Sequence, residues 1–294
     1  LDEIQALPAK YYPLLGVVIK RISEYYGAWF ILMTATQPEI VSYANLLLDE
    51  NKMSALELLE DGHIYYKDLK RTKIIPVMDK VKDSESLANF ISETKRDDQS
   101  ALVVVNTISQ SIEVFNLLES RYKTLYLSTN LTNIDRKRVI DEAKRLLKDK
   151  IPFVMVSTQT IEAGVDLDFD IGYRDLAQLE SIIQVAGRIN RGGEKGDYCN
   201  LYVFETKNSK LIYDAYKLDK TKELLVNEIP ENEYCSLVNK YYKTLLNDDK
   251  SYDTKIYEAI KFLDYDEISK FELIDKKGVK SVIIEQDDNI TNLI

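Results

Sequence analysis

Two short segments far apart in the sequence carry side chains suited to phosphoryl transfer. Asp2 and Glu3 are adjacent carboxylates, of which one can hold Mg²⁺ through water while the other accepts a proton from an attacking water. Arg188 and Arg191 are three residues apart, hence roughly on one helix face, and their planar guanidinium groups suit the developing charge on a transferring phosphoryl group. Gln184 stands at a fixed offset before them, and we assign it to nucleotide binding. Alternatively, the two carboxylates are ordinary surface residues, and the two arginines are a solvated pair, without a role in phosphoryl transfer.

A second polar pattern occupies residues 157–170, directly after an apolar run. Gly164 would let the backbone approach a ligand closely, and Asp166 is placed to accept from a ribose hydroxyl or to hold the arginine segment. Thr158 and Gln159 can offer hydroxyl, amide and backbone donors to a phosphate of a bound strand. We therefore predict a nucleotide contact at Gly164 and Asp166, and a nucleic-acid contact at Thr158 and Gln159.

Thr34 and Thr36 follow the continuous apolar run 28–33, which predicts a buried parallel strand. Their hydroxyl groups can bond to the carboxylate segment and to a facing lobe, and could thereby couple hydrolysis to lobe movement. Two threonines that merely end a strand are the alternative. Pro38 predicts the first turn of a helix that runs to about Leu48.

The composition limits the classes of protein to which the chain can belong. The chain has 294 residues, 45% of them hydrophobic, which allows two or three units with substantial cores. No run of about 18 apolar residues occurs, so we expect no membrane span and a cytoplasmic location. Two cysteines and the single His63 supply neither a structural zinc site nor the several histidines of a His-Asp nuclease. The net charge of −10 argues against a generally basic coat, although the segment 121–150 is locally basic.

Helical and apolar strand-like segments alternate from Lys73 onward, which predicts an α/β fold with a doubly wound parallel sheet flanked by helices. Ligands of such sheets lie beyond the carboxyl ends of the strands, where Thr107 joins the predicted nucleic-acid contacts. The predicted helices are 84–95, 109–121, 135–148 and 181–185, and the predicted strands are 101–105, 124–127, 153–156 and 198–205.

This pattern divides the chain into three predicted parts. Residues 1–72 would form the C-terminal part of a first lobe with a linker, and residues 73–207 a complete second lobe. Residues 208–294 would form a mainly helical accessory region, with amphipathic stretches at 208–226 and 231–247 and a hairpin around 276–278.

The motifs resemble those of a superfamily 2 helicase over about residues 1–205. Asp2 to Gln5 resembles motif II, Thr34 to Thr36 motif III, Val103 to Thr107 motif IV, Ser157 to Asp166 motif V and Gln184 to Arg191 motif VI. Within this superfamily, Thr-Ala-Thr-Gln-Pro and Gln-Val-Ala-Gly-Arg-Ile-Asn-Arg-Gly-Gly are most similar to the CRISPR-associated helicase of type I interference.

The resemblance implies RecA-like lobes that use ATP and Mg²⁺ to translocate on single-stranded DNA after a CRISPR surveillance complex opens the target. It also implies an HD (His-Asp) nuclease as partner, either separate or fused. By the same resemblance, Asp2 holds Mg²⁺, Glu3 is the catalytic base, and Arg188 and Arg191 contact the γ-phosphate.

Departures from the family pattern qualify this interpretation. Gln5 stands where many members carry histidine, and Ser128-Thr129 stands where relatives often have His-Ser. The chain has no G-x-x-x-x-G-K-[ST] loop to cradle phosphates, so we expect it alone to bind ATP poorly and not to hydrolyse it. Two alternatives remain, a DEAD-box-like RNA helicase fragment and a non-hydrolysing module that binds nucleic acid or protein.

Overall fold

A seven-stranded β-sheet organises the middle of the chain. The computed structural model describes residues 1–34, 36, 38–49, 51–58, 68–162, 164–196, 198–207, 209–247 and 254–273. Its strands are β1 (Thr72–Pro76), β2 (Ala101–Val104), β3 (Thr124–Leu127), β4 (Val154–Ser157), β5 (Ile171–Asp175), β6 (Cys199–Phe204) and β7 (Ile229–Pro230). Their order is β3-β4-β2-β5-β6-β1-β7, and neighbours run parallel except for β7, which is antiparallel to β1.

Helices connect these strands, and further helices precede β1 and follow β7 in the chain. They are α1 (Tyr12–Tyr26), α2 (Ile40–Leu47), α3 (Ser84–Thr94), α4 (Ile108–Glu119), α5 (Asn133–Lys148), α6 (Leu179–Ala186), α7 (Ala215–Leu224), α8 (Tyr234–Leu246), α9 (Lys255–Phe262) and α10 (Tyr265–Ile268). Single turns of 3₁₀ helix occupy Ile4–Ala6, Ala9–Tyr11, Gln159–Ile161, Ser209–Leu211 and Glu231–Glu233. Among the helices described, none is long and apolar enough to cross a membrane.

The central strands are buried on both faces because helices cover each side. Leu102 of β2 belongs to a core cluster with Leu146 of α5 and Ile182 of α6. The next residue, Val103, points the other way and joins a second cluster that includes residues of α3 and α4. Such two-sided burial explains why these strands are continuous apolar runs in the sequence.

The predicted parallel α/β sheet is confirmed, and its helices and strands between residues 84 and 204 lie within a few residues of their predicted positions. Strands β1, β5 and β7 were not predicted, because β1 and β5 contain charged residues and β7 is two residues long. The predicted hairpin around 276–278 and His63 lie outside the described residues.

The prediction of a buried strand at 28–33 is wrong. This segment forms one parallel bridge, between Met33 and Asp2, and Trp29 is 97% exposed. Within the described residues the segment pairs with the first three residues alone, through bonds such as Met33 N to the Leu1 carbonyl oxygen at 2.9 Å. An apolar run becomes a buried strand only where other strands and helices cover it.

Candidate functional site

Glu3 lies beside Gln184 although 181 positions separate them in the chain. The side-chain amide of Gln184 donates to Glu3 Oε2 at 3.3 Å, and Gln5 Nε2 donates to the same oxygen. Asp2 and Glu3 are both exposed. Glu3 also has a positive φ of 54°, an uncommon conformation for a residue with a side chain. The predicted catalytic carboxylate and a predicted nucleotide-binding residue thus come together.

Thr34 joins this cluster through Gln5. The Thr34 hydroxyl donates to Gln5 Oε1 and accepts from the backbone N–H of Thr36 at 3.1 Å. Thr36 is fully buried, and its own hydroxyl has no hydrogen-bond partner in the described part of the chain. Thr34 is therefore in contact with the carboxylate segment, whereas the side chain of Thr36 makes no such bond.

Arg188 lies just beyond the end of α6, close to several carboxylates. Its Nη2 donates to the carbonyl oxygen of Glu162 at 2.7 Å, while its Nε is buried with no partner among the described residues. Burial and repulsion from Arg191 lower the pKa of the Arg188 guanidinium, while Asp166, Glu3 and Glu162 act in the opposite direction. A guanidinium keeps its charge despite such a shift, so Arg188 is a half-buried cation whose Nε makes no hydrogen bond within the described residues.

Asp166 and Asp168 hold the segment that carries Arg191. Arg191 Nε forms an exposed ion pair with Asp166 Oδ1 at 3.3 Å, so Asp166 contacts the arginine segment, one of its two predicted roles. The backbone N–H of Arg191 donates to Asp168 Oδ1 at 2.8 Å. Gly164 is exposed with a φ of 71°, and a Cβ there would meet nothing within 4 Å. Its backbone conformation, rather than crowding, therefore favours glycine.

Arg71, at the end of the predicted linker, contacts the segment that carries Arg191. Its Nη1 donates to the carbonyl oxygen of Arg191 at 3.0 Å, and its Nε donates to Glu231 Oε1 at 2.9 Å. The hydrogen bond and the charge of Glu231 raise the pKa of Arg71, against the effect of burial. No local pattern predicts this contact, because Arg191 and Glu231 lie 120 and 160 positions away from Arg71.

The three predicted nucleic-acid residues lie at the carboxyl ends of two neighbouring strands, β2 and β4. Gln159 Nε2 donates to the carbonyl oxygen of Asn106 at 3.1 Å, which ties the two strand ends together. Thr107 caps α4 by accepting from the backbone N–H of Gln110 at 3.2 Å. Thr158 is 3% exposed, and its hydroxyl lies 3.2 Å from that of Thr160. Gln159 and Thr107, both half-buried, are more open to a ligand than Thr158.

A buried ionic network behind these residues was not predicted. Arg174 is completely buried and donates to Glu162 Oε1 at 3.1 Å. A charged pair, Arg174 and Asp175, inside the apolar stretch 171–177 was the available signal, because a buried charge requires partners.

The exposed donors and acceptors fit a magnesium nucleotide. Mg²⁺ is commonly held by one or two carboxylates together with phosphate oxygens, and Asp2 and Glu3 provide two adjacent carboxylates. No group of three His, Cys, Asp or Glu side chains in the described residues could hold a metal ion by itself. The half-buried Arg188 and the exposed Arg191 match the anionic character of phosphates.

Comparisons with known proteins show which family the chain is similar to. A family model of the CRISPR-associated nuclease/helicase Cas3, C-terminal, matches residues 97–194. The chain is 26% identical to the CRISPR-associated nuclease/helicase Cas3 of Methanothermobacter thermautotrophicus over 291 residues, which cover 92% of this chain and 34% of that protein.

Two solved structures share the fold. The crystal structure of T. fusca Cas3-ATP matches with a TM-score of 0.64 at 19% identity, over 91% of this chain and 37% of that one. A structure described as a CRISPR RNA-guided surveillance complex, pre-nicking, matches with a TM-score of 0.62 at 19% identity, over 91% of this chain and 39% of that one.

The mostly parallel seven-stranded sheet flanked by helices is the α/β fold of part of the T. fusca Cas3 structure. The family that this chain is similar to is that of the CRISPR-associated nuclease/helicase Cas3. The chain spans about a third or less of the length of the curated relatives it matches.

Proposed function

We propose that this chain is part of an ATP-dependent motor that translocates on single-stranded DNA in CRISPR interference. The contact between Glu3 and Gln184 carries this proposal, because it joins a predicted catalytic carboxylate to the segment of the two arginines. On this proposal, residues 1–72 belong to a first lobe, residues 73–207 form the second lobe, and residues 208–294 form the accessory region.

Each charged residue has a separate task at the proposed site. ATP, when bound with Mg²⁺, supplies the phosphoryl group and the metal that neutralises its charge. Asp2 would hold the metal and Glu3 would accept the proton of the attacking water. Arg188 and Arg191 would stabilise the charge that develops on the γ-phosphate, since guanidinium groups bind phosphate oxygens with two donors.

The second ligand of the proposed motor is the DNA strand. Thr107, Thr158 and Gln159 would contact its backbone, because they lie together at the carboxyl edge of the sheet. Thr34 and Thr36 would couple the two ligand sites, and the hydrogen bond from Thr34 to Gln5 supports this role for Thr34. Gly164, Asp166 and Gln184 would contact the nucleotide.

The proposed partners are a CRISPR surveillance complex and an HD nuclease. The matching structure described as a surveillance complex supports the first, and the nuclease/helicase description of the relatives supports the second. The single histidine of this chain is too few for the metal centre of such a nuclease. The nuclease would therefore lie outside these residues.

ATP hydrolysis tests the proposal directly. The chain would be joined to the preceding first-lobe segment, from its own upstream reading frame or from the M. thermautotrophicus relative, to supply a Gly-Lys-Thr loop. We expect hydrolysis that single-stranded DNA stimulates more than single-stranded RNA at matched salt, and little hydrolysis by this chain alone. The salt must be fixed because phosphate contacts weaken steeply as its concentration rises.

Glu3→Gln is the matched variant for this experiment. It should leave ATP binding in place and lower turnover by roughly 10²- to 10⁴-fold, the usual contribution of a general base. Normal turnover of Glu3→Gln would remove Glu3 from this role. Stimulation by RNA alone would favour the DEAD-box-like alternative, and silence with both nucleic acids would favour the non-hydrolysing binding module.

A further inference from the structure

Arg174 is a fully buried cation at the carboxyl end of β5. Its two terminal nitrogens donate to oxygens from several parts of the chain. These are Asn106 Oδ1 at 2.6 Å, the Asp175 carbonyl at 2.9 Å, Glu162 Oε1 at 3.1 Å, Ser181 Oγ at 2.8 Å and the Tyr213 hydroxyl at 2.9 Å. One guanidinium therefore joins the end of β2, the loop after β4, the start of α6 and the segment before α7.

Glu162 connects this cation to Arg188. Its carboxylate accepts from Arg174 and also from the Ser181 hydroxyl at 2.6 Å, so its side chain is fixed at the start of α6. Its backbone carbonyl accepts from Arg188 Nη2 at 2.7 Å. Burial raises the pKa of the Glu162 carboxyl group, and Arg174, Ser181 and Arg188 act against this rise. Glu162 therefore contacts both arginines, Arg174 through its carboxylate and Arg188 through its backbone carbonyl.

Asn106 connects the same cation to the predicted nucleic-acid residues. Its Oδ1 accepts from Arg174, while its Nδ2 donates to the Leu176 carbonyl at 2.8 Å. Its backbone carbonyl accepts from Gln159 Nε2 at 3.1 Å, and Thr107 follows it in the chain. A shift of the strand end that carries Asn106 would therefore displace Arg174. Through Glu162, it would also displace Arg188.

Burying the charged pair of Arg174 and Glu162 costs free energy, which indicates a role other than stabilising the fold. Taking two charges out of water is expensive, and apolar residues of similar volume often give a fold of equal or greater stability. A planar guanidinium has a fixed geometry, which gives it directional bonds that apolar packing lacks. Such bonds are suited to holding separate segments in one register.

We propose that the Arg174–Glu162 pair is a positioning pair that holds Arg188 in place and links it to the strand ends that contact DNA. This inference rests on the proposed function for its consequences in catalysis. Neither residue contacts the nucleotide on this view, because both act through Arg188 and Asn106.

Glu162→Gln tests the link with little change of shape. In the hydrolysing protein described above, it should lower the DNA-stimulated kcat about tenfold, within the range of coupled residues in contact, and change KM less than roughly twofold. In an Arg188→Ala background it should have no further effect, because the residue through which it acts is gone. Arg174→Lys, which keeps the charge but loses the planar fork, should behave in the same way.

Tyr173→Phe is the control from the neighbouring position of the same strand. It removes a buried hydrogen bond to Thr94 of 2.8 Å on the opposite face of the sheet, and should leave the DNA-stimulated kcat unchanged. A second measurement needs no hydrolysis. In this chain alone, Glu162→Gln should speed the exchange of backbone amide hydrogens in residues 158–162 and 185–192, and Tyr173→Phe should not.

Two results would overturn the inference. One is a Glu162→Gln effect that is equally large with and without Arg188, since a merely structural residue would act independently of it. The other is unchanged amide exchange in both segments. If the wild-type protein shows no DNA-stimulated hydrolysis, or Arg188→Ala has no effect, the proposed function fails, and the exchange measurement still decides whether the link exists.

Discussion

Arg188 is the side chain whose loss should affect turnover most. Arg188→Ala should lower kcat by roughly 10³-fold or more, the scale of arginine fingers in phosphoryl transfer, because the half-buried cation next to Arg191 and the carboxylates would be missing. The measurement is the kcat and KM of DNA-stimulated ATP hydrolysis in the protein completed with its first lobe.

Arg96→Ala is a suitable control for Arg188→Ala. Arg96 is exposed and pairs with Asp98 at 3.4 Å, and it is not among the charges that act on Arg188, so its loss should leave both constants unchanged. A rise in KM at constant kcat for Arg188→Ala would contradict the prediction and make Arg188 a binding residue.

Some residues of the candidate site could be predicted from the sequence, and others could not. Glu3, Gln184 and Arg188 were predicted because their types and spacing form local motifs, and the structure brings Glu3 and Gln184 into contact. Arg174 was missed because its significance depends on partners up to 68 positions away. Motifs are local in sequence, whereas a buried ionic network is defined by the tertiary fold.

Helix and strand positions were predictable where the pattern of buried residues is local. The segments from α3 to β6 alternate regularly because each strand is covered on both faces by its own neighbouring helices. The run 28–33 has the same apolar character, yet it forms a single bridge and exposes Trp29. The difference lies in the surrounding elements, which the composition of the run cannot reveal.

The packing of α1 on α2 depends on Gly16. A Cβ at this position would lie 2.6 Å from Ala44 Cβ and 2.8 Å from the Ile40 carbonyl oxygen, and neither atom can rotate away. Gly16→Ala should therefore push the helices apart and lower the free energy of unfolding by about 1–3 kcal/mol, as overpacking does.

Urea-induced unfolding followed by circular dichroism would measure this change. Val18→Ala is a control on the same helix, because Val18 is 43% exposed and its truncation should change the free energy of unfolding much less. Equal stability of Gly16→Ala and the wild type would show that α1 and α2 do not pack as closely as described.

Residues from all three predicted parts of the chain meet at a buried cluster of tyrosines. Tyr12 of α1 and Tyr43 of α2 pack with Tyr241 and Tyr242 of α8 in one core cluster, together with Leu179 at the start of α6. Glu180, the next residue, is 8% exposed and accepts from the Tyr242 hydroxyl at 2.8 Å. The segment after Thr206 is therefore packed against both earlier parts, which its charged, tyrosine-rich composition did not indicate.

Tyr242→Phe should weaken this junction. Burial, followed by the nearby charge of Glu180, raises the pKa of Tyr242 well above its usual value, so the neutral phenol donates to Glu180 at physiological pH. The variant would leave the Glu180 carboxylate buried without that donor, at a cost of about 1–3 kcal/mol in the free energy of unfolding. Tyr265→Phe is the control, because Tyr265 is 70% exposed and should tolerate the change. Urea unfolding of both variants measures the difference: equal stability would show that Glu180 does not depend on the Tyr242 hydroxyl.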